Sequence, residues 1–358
     1  MMSGAALLTS CASRPPVARP SATSPTQARA LIDGLLPRAL PDRGGWGADL
    51  YAGFAAQGIE PTHESVCAVV AVIEQESSFR VDPVVPRLGA IAWREIDARA
   101  ERAGVPRLLV HAALQLKSST GRSYSDRIDS ARTEKDLSDI FEDFIGAVPM
   151  GQSLFAGSNP IRTRGPMQVN IAFAEQYAAA RPYPYPVKLS IADEVFTRRG
   201  SLYFGIAHLL AYPASYDGYL YRFADYNAGQ YASRNAAFQS AVSKASGIPL
   251  RPDGALLPHD SDLKDPGSTE LAVRALAGRL NIGESAIHSA LEQGKAKDFE
   301  RTALYERVFA LAEQVQGQPL PRATVPRIKL QGPKISRSLT TDWYAHRVNQ
   351  RFEHCLGK

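Results

Sequence analysis

Glu76 stands at the end of an apolar run, Ser65-Val66-Cys67-Ala68-Val69-Val70-Ala71-Val72-Ile73, followed by Glu74-Gln75-Glu76-Ser77-Ser78-Phe79. A helix that is apolar nearly all round belongs in a core. Its last turn then sets a carboxylic acid at the lip of that core, where desolvation raises its pKa. An acid partly protonated near neutral pH can protonate a glycosidic oxygen. A Glu at a helix end is more often a plain solvated charge, so the motif says little alone. Glu74 lies two residues earlier, on another side of the helix, and is the weaker candidate. Two further clusters could line a site. Gly165-Pro166-Met167-Gln168-Val169-Asn170 joins a glycine that permits close backbone approach, a flexible apolar wall and an amide that both donates and accepts. Phe223-Ala224-Asp225-Tyr226-Asn227-Ala228-Gly229 ends a tyrosine-rich stretch: seven of the 14 tyrosines lie between Tyr203 and Tyr231. Tyrosine matches a sugar with a flat apolar ring and a polar tip, although several of these rings suit a helical core equally well.

In this order the three motifs resemble those of the SLT-type lytic transglycosylases, which share the goose-type lysozyme fold. That family carries Glu-Ser at the end of a buried helix, then Gly-Leu-Met-Gln, then Ala-Tyr-Asn-Ala-Gly. This chain has Glu76-Ser77, Gly165-Pro166-Met167-Gln168 and Tyr226-Asn227-Ala228-Gly229. Arg199-Gly200-Ser201-Leu202-Tyr203-Phe204-Gly205 looks like the family's intervening Gly-bearing helix. The resemblance implies that Glu76 is the single catalytic acid/base. It implies substrate-binding positions at Ser77, Met167, Gln168, Tyr226 and Asn227, and at Asn159, which falls where the family has a serine. Pro166 in place of Leu suits a first helical turn. Arg162-Thr163 replace a Gly-Ala pair, and the 89 positions from Glu76 to Gly165 far exceed the family's spacing. The expected branch is therefore a divergent one.

A single acid suffices when the substrate supplies its own nucleophile, whereas most glycosidases need two carboxylates. The resemblance thus implies cleavage of the MurNAc–GlcNAc β-1,4 bond of peptidoglycan with closure of a 1,6-anhydro ring, without metal or cofactor. A muramidase using water is the alternative, with Asp82, Glu175 and Asp225 as candidate second carboxylates. So is a non-catalytic peptidoglycan-binding lipoprotein on the same frame. More remotely, residues 272–291 resemble a helix-turn-helix, but no nucleic-acid partner is expected. Arg162, Arg164, Arg181, Arg198 and Arg199 could meet substrate carboxylates, or be dispersed surface charge, the preferred reading.

The elements that must position these residues have helical period, with almost no alternating strand pattern. Helices are expected at 26–36, 46–57, 64–78, 91–104, 106–117, 135–147, 170–180, 190–212, 219–227, 232–243, 268–280, 284–294, 299–316 and 340–355. The fold class is all-α: a lysozyme-like core over 29–250 with a helical insertion at 86–157, and a helical C-terminal extension at 251–358 packed on that core.

Before the core, Leu8-Thr9-Ser10-Cys11 resembles a bacterial lipobox, making 1–11 a lipoprotein signal segment and Cys11 the lipidated residue. The apolar stretch is short and lacks a preceding Lys or Arg. Residues 12–28, rich in Pro, Ser, Thr and Ala, read as a disordered tether. The expected location is periplasmic, anchored by Cys11 to a membrane, the outer one by preference, with peptidoglycan strands as partner. If exported, Cys67 and Cys355 could pair; two separate buried thiols are the preferred reading. Composition agrees with a globular chain: 358 residues, 44% apolar, 22% charged. A net charge of +5 suits an anionic polymer. No run approaches the roughly 20 apolar residues of a membrane span.

Overall fold

A computed structural model describes residues 24–148, 159–258, 265–330 and 338–357. Cys11 and most of the expected tether lie outside the described residues. The all-α expectation holds. The N-terminal helices are α1 (Pro25–Leu35), α2 (Arg43–Gln57) and α3 (His63–Glu76); the insertion supplies α4 (Leu88–Arg102), α5 (Arg107–Leu114), α6 (Tyr124–Ser130) and α7 (Glu134–Ala147). A two-residue ribbon, β1 (Thr163–Arg164) and β2 (Val169–Asn170), pairs antiparallel with Thr163 opposite Asn170. Then come α8 (Ile171–Ala180), α9 (Ile191–Phe196), α10 (Arg198–Leu210), α11 (Tyr219–Ala228) and α12 (Ala232–Ser246). Last are α13 (Ser268–Arg274), α14 (Ala277–Leu280), α15 (Glu284–Glu292), α16 (Ala303–Gln316) and α17 (Thr341–Leu356). No described helix is long and apolar enough to cross a membrane.

Capping residues explain where the sequence pattern and the structure part. Ser24 and Gln27 form a reciprocal capping box, so α1 starts at Pro25, inside the expected tether, and buries Ala28. The expected helix 190–212 breaks at Thr197, which ends α9 and caps α10 through Gly200 N–H. The expected helix 268–280 breaks between α13 and α14. Helix α6 is capped by Ser123 but spans only seven residues, too few to show a period.

Three apolar clusters hold these elements together. The first joins α1, α2, α3, α10, α11 and α17 around Val66–Ile73, Leu202, Phe204, Phe223 and Val348. The second joins α12 to α13–α16 through Phe238, Val273, Phe299 and Phe309. The third is the insertion's own, built on Leu88, Tyr124, Ile128 and Ile140, and closed by Ile161 and Phe196. The segment after residue 250 is thus divided: α13–α16 build the second cluster, and α17 returns to the first.

A disulfide joins Cys67 of α3 to Cys355 of α17, with Cα atoms 5.5 Å apart. This corrects the preferred expectation of two separate thiols. The two cysteines are 288 positions apart, and only the docking of α17 along α3 brings them together.

Candidate active site

The apolar sequence of α3 forces it inward, and the Thr62–Ser65 capping box fixes its start. Residues Ser65 to Ile73 are buried, and the last turn, Glu74-Gln75-Glu76, returns to partial exposure. Beyond it the backbone reverses through Ser78 and Phe79, both left-handed, with φ of 50° and 61°. The Phe79 ring closes this reversal edge-on against Trp46, 5.2 Å away. Ser77 Oγ donates back to the Ile73 carbonyl at 3.1 Å and is buried, so the structure turns this expected binding residue into its own helix.

Helix α17 meets that last turn residue by residue. Tyr344 donates its phenolic hydrogen to Glu76 Oε1. Arg351 pairs with Glu74 and donates from Nε to Gln75 Oε1 at 3.1 Å. Cys67 near the start of α3 binds Cys355 near the end of α17, whereas Glu76 meets Tyr344 near its beginning, so the two helices run antiparallel. The two carboxylates thus meet different residues of α17: Glu74 pairs with Arg351, and Glu76 accepts from Tyr344. Burial, then the Glu76 charge, pushes the Tyr344 phenol well above its ordinary value, so it stays a donor.

The second motif sits behind Glu76. Gly165 has φ 71°, and a Cβ there would strike the Val195 carbonyl oxygen. The turn it makes presents Met167, whose N–H donates to Ser201 Oγ at 3.0 Å and whose carbonyl accepts from Tyr226 Oη at 2.7 Å. Gly205 leaves room for the Met167 sulfur. Met167 is fully buried: it is the floor under the site, not an exposed wall. The Tyr226 phenol is likewise raised by burial and then by the Glu76 charge, which places Tyr226 in the electrostatic reach of that carboxylate. His208, wedged between Phe173 and Tyr226 at 4.5 and 5.0 Å, is held to a pKa of about 4 by burial.

Gln168, left-handed at φ 50°, accepts from Thr163 Oγ1 at 2.9 Å and donates to Glu134 Oε2 at 3.2 Å. Glu134 opens α7, so the insertion reaches the expected binding loop. Asn227 is exposed and accepts from Thr341 Oγ1 at 2.9 Å. Glu76, Met167, Tyr226 and Tyr344 therefore form one connected group, with Asn227 joined to it through α17. Asn159 does not join: its amide donates to Ser138 Oγ at 3.0 Å and Glu142 Oε1 at 2.9 Å, inside the insertion contact.

Of the candidate second carboxylates, Asp225 is sealed by Tyr212, Tyr216 and the Ser233 N–H, and Glu175 is simply exposed. Asp82 lies exposed on the loop after α3, facing Thr133 and Asp136, and local desolvation raises its carboxyl above the usual range. Among the described residues no group of three or more His, Cys, Asp or Glu is arranged to hold a metal.

The model of the family described as "Protein of unknown function (DUF1615)" matches residues 39–358. The chain belongs to this family. It is 52% identical over 350 residues to the uncharacterized protein YaiW of Escherichia coli (strain K12), covering 98% of this chain and 95% of that protein. No solved structure matches it. The family match takes in α3, the Gly165 turn, α11 and α17, and hence every member of the Glu76 group.

Two other features of this DUF1615 chain have structural roles. The arginines expected as dispersed surface charge are mostly engaged: Arg164 is buried, donating to Ala192 O and Ser138 Oγ, while Arg198 pairs with Asp42 and Asp49, and Arg199 with Glu194. The helix-turn-helix-like stretch turns Ala272, Val273, Leu276, Ile287 and Leu291 into the second core. Its second helix, α15, carries Glu284 and Glu292 but no Lys or Arg, the wrong charge for a phosphate backbone.

Proposed function

We propose that this protein is a peptidoglycan lytic transglycosylase with Glu76 as its one acid/base. The observation that carries the reading is the setting of Glu76: the part-exposed last turn of a largely buried helix, with a neutral phenol donating to one oxygen and the Met167–Tyr226 pair behind it. As the acid, Glu76 protonates the glycosidic oxygen as the C1–O bond breaks. As glutamate it then takes the proton from the 6-hydroxyl of the same muramoyl residue while that oxygen bonds to C1. Water is neither consumed nor needed, and the attack gains from being intramolecular. Tyr344 holds the carboxylate in place through both half-steps and, as a neutral donor, does not compete for its proton. Gln168, next to Met167, and the exposed Asn227, held by Thr341, supply amides for sugar hydroxyls. The lysozyme-like core belongs to this same reading.

The proposed location is the periplasm, with Cys11 lipidated and the tether spanning to the membrane. The Cys67–Cys355 disulfide supports an oxidising compartment. A water-using muramidase is the second reading, favoured by Asp82 and Glu134, which lie on the Gln168 side of the site.

Mass spectrometry of muropeptides released from purified sacculi separates these readings. The proposal predicts products lighter by one water, with anhydro ends. Reducing ends of normal mass would establish the hydrolase instead. Sedimentation with sacculi and no product would make it a binding protein.

A further inference from the structure

A groove of about 730 Å³ lies between α12, the loop at Arg251 and the start of α17, the helix that carries Tyr344. Arg251, Arg327 and Lys329 line it with Thr324, Thr340 and Asp342. All three cations are exposed, and none makes an ion pair among the described residues. Asp342 has only a distant contact with His346, 3.6 Å away. The walls are fixed by main-chain bonds: Arg327 N–H to Pro252 O at 2.8 Å, Thr324 N–H to Ser233 O at 3.0 Å and Thr341 N–H to Ile328 O at 3.0 Å. Among the described residues these cations therefore stand on a fixed backbone without a paired anion, which favours an external anionic group.

The groove is also joined to the site. Thr340, on its wall, caps α17; Thr341 holds Asn227; Tyr344, one turn and about 6 Å further along the axis, holds Glu76.

We propose that this groove is a subsite for the peptide stem of a peptidoglycan strand, taking its carboxylates on Arg251, Arg327 and Lys329 and its free ammonium on Asp342. The mixture of charges decides the ligand class. A polyphosphate would gain from the cations but be repelled by Asp342, whereas a zwitterionic peptide satisfies both. The subsite rests on the peptidoglycan reading for the identity of the polymer, but not on turnover at Glu76.

The test uses the full chain with Glu76→Gln, which removes cleavage, and the free stem tripeptide L-Ala-γ-D-Glu-meso-diaminopimelate as probe in calorimetric titration. The tripeptide binds, binding weakens with salt, and Arg327→Ala with Lys329→Ala raises Kd by about tenfold or more. Asp342→Asn also weakens it. Absence of binding, or an unchanged Kd in the double variant, overturns the subsite. Displacement by equimolar inorganic phosphate, with no effect of Asp342→Asn, makes it a general anion site and likewise overturns the proposal. In parallel, wild-type protein is given intact sacculi and glycan stripped of peptides by an amidase. Cleavage of both alike without tripeptide binding defeats the subsite and leaves the transglycosylase reading standing. Tripeptide binding through Arg327 and Lys329 without any cleavage keeps the subsite and defeats the catalytic reading.

Discussion

Tyr344 is the residue that most changes the picture of the site. It is buried, protonated and bonded to Glu76, so it orients the carboxylate rather than exchanging protons with it. Tyr344→Phe keeps the ring and its packing and removes one charge-assisted hydrogen bond, worth about 1.5–3 kcal/mol. If that bond holds the reacting carboxylate, kcat on sacculi falls by about ten- to a hundredfold with little change in KM, as steady-state kinetics would show. Glu76 and Tyr226 were legible in the sequence because each stands in a short motif whose residue types suit the chemistry. Tyr344 was not, since its partner is 268 positions away. Its one signal was helical spacing: Tyr344, Val348, Arg351 and Cys355 recur on one face. The local partners of Ser77 and Asn159 were not legible, although these are closer in sequence. Both had suitable side chains, but short-range partners, the Ile73 carbonyl and the Ser138–Glu142 pair, claim their polar atoms.

Helices α3 and α17 form a clasped antiparallel pair. Cys67–Cys355 closes one end, Glu76–Tyr344 lies at the other, and Arg351 pairs with Glu74 between them. A cross-link over 288 positions removes much freedom from the unfolded chain. Replacing both cysteines with Ala is expected to cost about 2–5 kcal/mol in urea unfolding, and reduction of the wild type should lower its stability similarly. A change well below 1 kcal/mol would mean that the apolar contacts of α17 hold it without the bond. Most helices were readable because apolar spacing of 3.6 residues reports one buried face. The break inside 190–212 was not, because Thr197 acts through a cap that a period does not reveal. The cysteine pairing depends on which helices dock, which the sequence of either helix alone does not contain.

At the scale of the molecule, the first and third cores meet at the candidate site, and the second backs the basic groove. The first carries Glu76, Tyr226 and Tyr344; the insertion brings Glu134 to Gln168; α12, at the edge of the second core, backs the basic groove. His208 gives the first core a pH signature. Its ring is neutral in the fold down to about pH 4, whereas an unfolded histidine takes up a proton below 6.5. The unfolded state therefore binds more protons in that window, so stability is lost as pH falls from about 6.5 to about 4, by about 3 kcal/mol in full. Denaturant unfolding of His208→Gln across the same range should show a fall smaller by that amount. The all-α class was legible from the helical period of the sequence. The return of α17 to the first core was not, since nothing local marks that helix as belonging to α3 rather than to its sequence neighbours.

The most direct test of the account sets Glu76→Gln beside Glu74→Gln in the sacculus assay, with anhydro-muropeptide release as readout. The two residues share a helix turn but not a role: Glu74 is paired with Arg351, and Glu76 faces Tyr344. The account predicts that release is abolished by Glu76→Gln and kept within about threefold of wild type by Glu74→Gln, an effect of under 1 kcal/mol. Undiminished release from Glu76→Gln would contradict it.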